Sequence, residues 1–186
     1  EDVVVPVSGR LHVLPSDVML SAAEPILLGR EHREYRLADI LEQMAESYDF
    51  AVIDCPPNIG TLTFNALFAC DEAIIPIETG LFVLHGLSRL METIRLVNSK
   101  RTARITVNAL LTMFDRRTRI AGESLNEIQK HLGEQVFSTI INFNVRLKEA
   151  ASYGKPVIDY APESNGARDY MSLAAELLRM RPRRQA

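Results

Sequence analysis

The stretch Tyr48–Leu67, YDFAVIDCPPNIGTLTFNAL, constrains this chain more than any other. Phe50, Ala51, Val52 and Ile53 form an unbroken apolar run that stops at Asp54, the pattern of a strand buried on both faces of a parallel sheet. Cys55, Pro56 and Pro57 then end any ladder pairing, because a proline has no N–H to give. Asn58–Thr61 offers polar groups where a new helix can begin. The predicted order is strand, acidic tip, loop, helix. In an open parallel sheet, ligands sit in the crevice beyond the carboxyl ends of the strands, and an Asp there suits outer-sphere binding of a phosphate-bound Mg²⁺. The plainer reading is that Asp54 caps the turn leaving the strand.

Size and charge narrow the choice. With 186 residues and 47% hydrophobic content, the chain can bury one substantial core, and residues 1–186 are expected to form a single domain. No apolar stretch approaches the ~20 residues of a membrane span and no secretory leader is present, so a cytoplasmic protein is expected. Cys55 and Cys70 form no CxxC and no Cys/His cluster, which argues against a disulfide framework or a zinc site. Residues 1–99 carry 6 Lys/Arg against 15 Asp/Glu, whereas residues 100–186 carry 15 against 9. The basic half can face a polyanion, although solvated surface explains most such asymmetries.

In chain order, Val3–Val5 leads through a turn at Gly9 to a strand over Leu11–Leu14, and Ser16 or Asp17 can cap the segment after that strand. Arg36–Ser47, with Leu37, Ile40, Leu41 and Met44 at helical spacing, reads as an amphipathic helix packing on the sheet. His32, in the charged segment EHRE, reads as solvated. Ala73–Ile77 is a further buried strand, with Glu78 at its tip as a site candidate or a rim carboxylate. The stripe Leu84, Leu87, Leu90, Met91 and Ile94 reads as core. His85 has no accompanying nucleophile motif, so packing or capping is preferred for it. A long strand over Arg104–Phe114 ends in the charged run Asp115–Arg119. Thr118 can cap a helix bearing Leu125, Ile128 and Leu132, and Val136–Ile141 is the last strand. The final helix, Gly166–Met180, carries Tyr170, Leu173, Ala174, Leu177 and Leu178 on one side and runs into the basic end RMRPRR.

Several of these segments resemble one family. DCPP, a small-residue turn and the helix start TxNAL resemble the Walker B and switch II segment of the ParA/Soj/MinD group of P-loop ATPases, the ParA branch fitting best. LHVLPSDVMLSAAE, PIETGLFVLHGLSRLMETI and LLTMFDRRTR are similar to further stretches of that branch. NVRLKEA followed by SYGKPV is similar to its NVRLSEAPSHGKPV segment. Relatives usually have Pro-Arg just before that Asn, where this chain has Asn142-Phe143.

The resemblance implies an α/β fold, a doubly wound, mostly parallel sheet with helices on both faces, incomplete at the N-terminus. It implies that Asp54 holds a Mg²⁺ shell through water and senses a γ-phosphate through the Pro56-Pro57 loop. Met113 and the Asn142–Val145 loop, Asn144 included, would border the base of ATP. By motif position, Arg117 and Arg146 fall on two arginines that relatives use for sequence-independent DNA binding. Guanidinium forks suit phosphate oxygens without reading bases. As a function it implies a chromosome or plasmid partitioning ATPase: a homodimer formed with ATP and Mg²⁺, nonspecific DNA binding on the nucleoid, and hydrolysis triggered by a ParB-like partner.

A P-loop ATPase needs GxxxxGK[ST], because a Gly-rich turn at a helix N-terminus supplies the N–H groups that hold phosphates. In these 186 residues the Gly154-Lys155 pair is followed by Pro156, and Glu149 stands where the first Gly would be. The chain is therefore expected to be the C-terminal two thirds of a ParA-like ATPase, inactive by itself, with a P-loop preceding Glu1. One alternative is a nucleotide-independent DNA- or protein-binding module derived from such an ATPase. Another is a MinD-like positioning ATPase whose basic C-terminal helix lies on a membrane, although Pro182 stops that helix and no membrane partner is expected.

Overall fold

The structure is a computed structural model that describes residues 3–80 and 83–180; of residues 83–85 it describes the backbone alone. The expectations for the His85 and Leu84 side chains and for the tail beyond Met180 lie outside the described residues. The chain divides into two compact units, one of residues 1–70 with 99–102 and one of residues 71–98 with 103–186.

The first unit opens with an antiparallel hairpin of β1 (Val5–Ser8) and β2 (Leu11–Val13), pairing Val5 with Val13 and Pro6 with His12. Gly9 turns it at φ 48°, a left-handed conformation that favours glycine. Asp17 supplies the expected cap, its Oδ1 accepting from Met19 N at 2.7 Å at the head of a 3₁₀ turn. A short helix α1 (Ala23–Leu27) and a second 3₁₀ turn precede α2 (Arg36–Met44) and α3 (Thr61–Ala69).

The amphipathic reading of α2 holds for Leu37, Leu41 and Met44, which are half-buried, but Ile40 is exposed. The helix packs on α3 rather than on a sheet. Asn65 of α3, 5% exposed, fastens the two together. Its Oδ1 accepts from Leu37 N at 3.2 Å, and its Nδ2 donates to Arg33 O and Thr61 O, each at 2.9 Å. A buried amide satisfied at both ends costs little and specifies one arrangement. Arg101 donates to Leu67 O and, at 2.7 Å, to Cys70 O, covering the carbonyls that the end of α3 leaves open.

The expected strand over Phe50–Ile53 is not formed. Residues 50–56 carry neither helix nor strand; Val52 is 96% exposed and Phe50 47%. Such a composition becomes a strand only where neighbouring strands and covering helices bury it, and burial rather than propensity decides.

The second unit holds a parallel pair of strands, in one of which residues 107–111 are buried on both faces, whereas Ala73–Ile77, expected to be buried, buries Ile75 and Ile77 and leaves Ile74 and Pro76 exposed. β3 (Glu72–Glu78) pairs in parallel with β4 (Thr106–Thr112), Glu72 opposite Thr106 through to Glu78 opposite Thr112. The helix α4 (Val83–Asn98) makes the connection, as parallel pairing requires. On the far side of β4 the segment 136–142 runs parallel without forming a continuous strand. Two bridges, Ala109 to Val136 and Phe114 to Asn142, and bonds such as Phe137 N to Ala109 O at 2.9 Å replace the expected ladder.

β4 is thus central, and Val107 to Leu111 are all buried. Leu110 packs with Phe137, Ile141 and Leu173, which Leu147 and Leu177 flank. Val107, Ala109 and Leu111 alternate to the opposite face and are as deeply buried, so both faces are covered. Of the expected stripe on α4, Leu87 and Ile94 are buried and Leu90 and Met91 half-buried, and Val97, outside that stripe, is buried with them.

The remaining helices are α5 (Arg119–Leu132), α6 (Val145–Ser152), α7 (Val157–Tyr160) and α8 (Asn165–Met180). α8 is turned from the expected face. Gly166, Ala167 and Leu173 are buried, whereas Tyr170, Ala174 and Leu178 are exposed. The reason is polar: Glu176 reaches back to Ser138 N at 2.7 Å and Thr139 N at 2.8 Å, fixing the rotation of the helix.

Candidate functional site

Two loops leave the carboxyl ends of adjacent parallel segments in the second unit. One follows β4 and carries Met113 to Thr118; the other follows residue 141 and carries Asn142 to Asn144. Phe114 N donates to Ile141 O at 3.1 Å and Phe143 N to Phe114 O at 3.0 Å, so the loops depart side by side. Between them and α8 lies an open cleft of about 500 Å³, lined among others by Phe114, Arg116, Asn142, Phe143, Asn165 and Asp169. A crevice at this end of a parallel sheet is where α/β proteins bind ligands.

Met113 leaves β4 with φ 51°, a left-handed conformation uncommon for a residue with a side chain, and is 43% exposed. Asn144 serves the backbone: its Oδ1 accepts from Arg146 N at 2.9 Å and caps α6, and Val145 opens the helix exposed. Thr118 occupies the cap position of α5, but its hydroxyl donates to Asp115 O instead of capping the helix.

Asn142 is held at both ends. Its backbone N and its Nδ2 both donate to Asp169 Oδ2 at 2.9 Å, and its Oδ1 accepts from Arg116 Nε at 3.1 Å. A proline at this position would have no N–H for that carboxylate.

The two arginines singled out in the sequence are exposed, and each is paired locally. Arg117, 84% exposed in its side chain, donates to both carboxylate oxygens of Asp115 at 2.8 and 2.7 Å. The Arg117 side chain and its backbone N–H hold the Asp115 carboxyl well down, at about 2. The same contact raises the Arg117 guanidinium above its ordinary value. Arg146 donates to Glu149 Oε2 at 2.6 Å, which raises its guanidinium likewise. Lys148 lies 5.2 Å from the centre of the Phe143 ring. Such exposed pairs are worth little to stability, so their charge stays available to an arriving anion.

Asp54, Pro56 and Pro57 lie in the other unit, all exposed. Partial burial, and after it the Asp54 charge, push the neighbouring Cys55 thiol up. Glu78 stands exposed at the end of β3, and His32 is exposed as read. Sequence reasoning missed Arg116, Asn165 and Asp169. Arg116 stood unremarked within the charged run, and Asp169 has no local motif because its partner is 27 residues away.

A parallel sheet with helices on both faces and paired loops at its carboxyl end defines an α/β protein of the P-loop NTPase type. Cobyrinic acid a,c-diamide synthase from Mycobacterium smegmatis, solved with a bound ATP analogue and magnesium, has this fold. It superposes with a TM-score of 0.80 at 27% identity, over 96% of this chain and 66% of that one. The model of the AAA domain family matches residues 1–107. The sporulation initiation inhibitor protein Soj of Bacillus subtilis is 42% identical over 90% of this chain. The chromosome partitioning protein ParA of Myxococcus xanthus is 42% identical over 91% of it. The chain belongs to the ParA/Soj family of partition ATPases. It spans 67% of the length of the Bacillus protein and 60% of that of the Myxococcus protein.

Proposed function

We propose that this chain is part of a single ATPase domain that partitions chromosomes or plasmids, and that it carries the DNA-facing and base-bordering surfaces of that domain. The observation that carries the reading is the pair of loops after β4 and residue 141. The first presents Arg117, exposed, at a cleft of about 500 Å³, a size within the range of ligand pockets, and the second leads into α6, which carries the exposed Arg146.

The residues present suit ATP and Mg²⁺ in a limited way. Among the described residues no group of three or more His, Cys, Asp or Glu side chains could hold a metal ion. We assign Asp54 to Mg²⁺, acting through water, with the ion's other ligands from water and phosphate, an arrangement Mg²⁺ favours. Bound there, Mg²⁺ would neutralise phosphate charge. Pro56 and Pro57 stiffen the loop that follows Asp54, and Met113, Asn142, Asn144 and Val145 border the base. Phosphate-holding N–H groups of a P-loop must come from outside these 186 residues for hydrolysis to occur. An ATP-dependent homodimer, nonspecific DNA on the nucleoid and a ParB-like activator complete the reading. No helix among the described residues is long and apolar enough to cross a membrane.

The test is DNA binding by this chain and by a version extended upstream through any P-loop, with and without ATP and Mg²⁺, at low and raised salt. The reading expects binding that weakens steeply with salt and is lost on Arg117→Ala or Arg146→Ala, with ATP dependence in the extended protein. Binding that ignores both ATP and these arginines would replace it with the nucleotide-independent module.

A further inference from the structure

We propose that Arg116 is a phosphate contact in its own right, aimed by Asp169 through Asn142, and that the polyanion it meets is a nucleic-acid backbone. The inference rests on the DNA-binding reading of the same face and adds to it a third arginine and the device that positions it.

Four exposed arginines lie on or next to these loops, and three of them have carboxylate partners. Arg117 is paired with Asp115 at 2.7 Å, Arg119 with Glu123 at 2.7 Å, and Arg146 with Glu149 at 2.6 Å. A phosphate approaching any of these must share the guanidinium with a carboxylate or displace it. Arg116 differs. Its Nε donates to a neutral acceptor, Asn142 Oδ1, at 3.1 Å, and among the described residues no carboxylate lies within ion-pair distance of it. Neither Nη has a hydrogen-bond partner among the described residues, so the four N–H donors of the two Nη groups remain for an anion.

The acceptor that holds Arg116 cannot turn away freely. Rotating the Asn142 amide would break its Nδ2 bond to Asp169 Oδ2, and the backbone N–H bond to the same oxygen fixes the residue behind it. A carboxylate on the N–H side of an amide also strengthens its carbonyl oxygen as an acceptor, because chained hydrogen bonds polarise one another. Asp169 therefore acts on Arg116 at one remove. It is a positioning residue, while Arg116 makes the contact.

The relay makes a prediction opposite in sign to simple charge counting. Asp169 is an anion beside a face read as meeting a polyanion. Removing it should tighten binding if only its charge matters, and weaken binding if it aims Arg116.

The experiment is fluorescence anisotropy of a labelled DNA duplex with the version extended upstream through its P-loop, in ATP and Mg²⁺, over a series of salt concentrations, each variant first shown folded by circular dichroism. Arg116→Ala is expected to lower the slope of log K against log salt by about 0.9, the share of one phosphate contact on B-DNA. Asp169→Ala is expected to weaken binding in the wild-type background and to change nothing further in the Arg116→Ala background, the non-additivity of two residues in one network. Should Asp169→Ala not fold, Asn142→Ala, which removes the acceptor itself, takes its place with the same expectation. An Arg116→Ala slope equal to wild type, with Arg117→Ala lowering it, overturns this proposal and leaves the DNA-binding reading standing. Asp169→Ala tightening binding equally in both backgrounds overturns the relay. A version extended upstream through its P-loop that binds no duplex with ATP and Mg²⁺ at the lowest salt overturns both readings.

Discussion

The Glu24 carboxylate accepts the Thr61 N–H at 3.3 Å and so caps α3, a helix whose own cap residue, Gly60, has no side chain to do it. Glycine at 60 is what admits the carboxylate: a Cβ there would sit 2.8 Å from Glu24 Oε2 and 3.0 Å from Oε1. Gly60→Ala should therefore lose the cap by displacing Glu24, and Glu24→Ala should lose it by deletion. Each is expected to cost about 1 kcal/mol. The double variant should cost little more than either single one, since the two changes remove the same bond. Urea unfolding of the three variants measures this.

Gly166 is set close to another helix. A Cβ on it would lie 2.8 Å from Leu147 Cγ and 2.9 Å from Cδ2, where α8 crosses α6. Gly166→Ala gains about 1 kcal/mol of helix propensity but overpacks a buried contact, which typically costs about 1–3 kcal/mol. A net loss of stability is expected. Leu147→Ala added to it should recover part of the loss, and a thermal melt showing Gly166→Ala more stable than wild type would refute the close approach.

Acid should reach the loop after β4 late. Asp115 ionises with a pKa of about 2 in the folded chain, below its ordinary 3.8, because Arg117 hydrogen-bonds the charged form. A depressed carboxylate contributes stability that is present above its unfolded pKa and is lost as pH falls through the folded one. The contribution is therefore intact above about pH 4 and disappears toward pH 2. In Arg117→Ala the Asp115 carboxyl should titrate back near its ordinary value, as followed by carbon-detected NMR of the side-chain carboxyls.

Cys55 should be a sluggish nucleophile. Partial burial raises its thiol, and the Asp54 charge raises it further, so less thiolate is present at neutral pH than for an ordinary cysteine. Asp54→Asn removes the smaller cause and should speed alkylation without bringing it to the rate of a free thiol. An unchanged pH profile of iodoacetamide labelling would show that Asp54 does not act on the sulfur.

Met113 holds a left-handed backbone at φ 51° where β4 gives way to the arginine loop. An L side chain in that conformation costs about 1–2 kcal/mol, a cost glycine escapes. Met113→Gly is expected to leave stability equal or higher in chemical denaturation while loosening the loop. A clear destabilisation would mean that the methionine side chain contributes more packing than its 43% exposure indicates.

What the sequence determined on its own is local and periodic. The helix start at Thr61, the cap at Asp17 and the buried run of β4 follow from spacing and side-chain chemistry within a few residues and are present, whereas the cap expected of Thr118 is not made and Asn144, read as bordering a base, caps α6 instead. Family membership was legible too, because its motifs are contiguous. Contacts between distant residues decided the rest. The apolar run Phe50–Ile53 had the composition of a buried strand and forms none, with Phe50, Ala51 and Val52 exposed, since a strand exists only where a ladder and cover are provided. The rotation of α8 was set by Glu176 and Asp169 reaching residues 138, 139 and 142, overriding the stripe that Tyr170, Ala174 and Leu178 suggested. Arg116 looked like one more charge in a basic run. Only the folded chain, by setting its neighbours against carboxylates and Arg116 against an amide, distinguished it, because the free energy of a charge depends on what the fold places beside it.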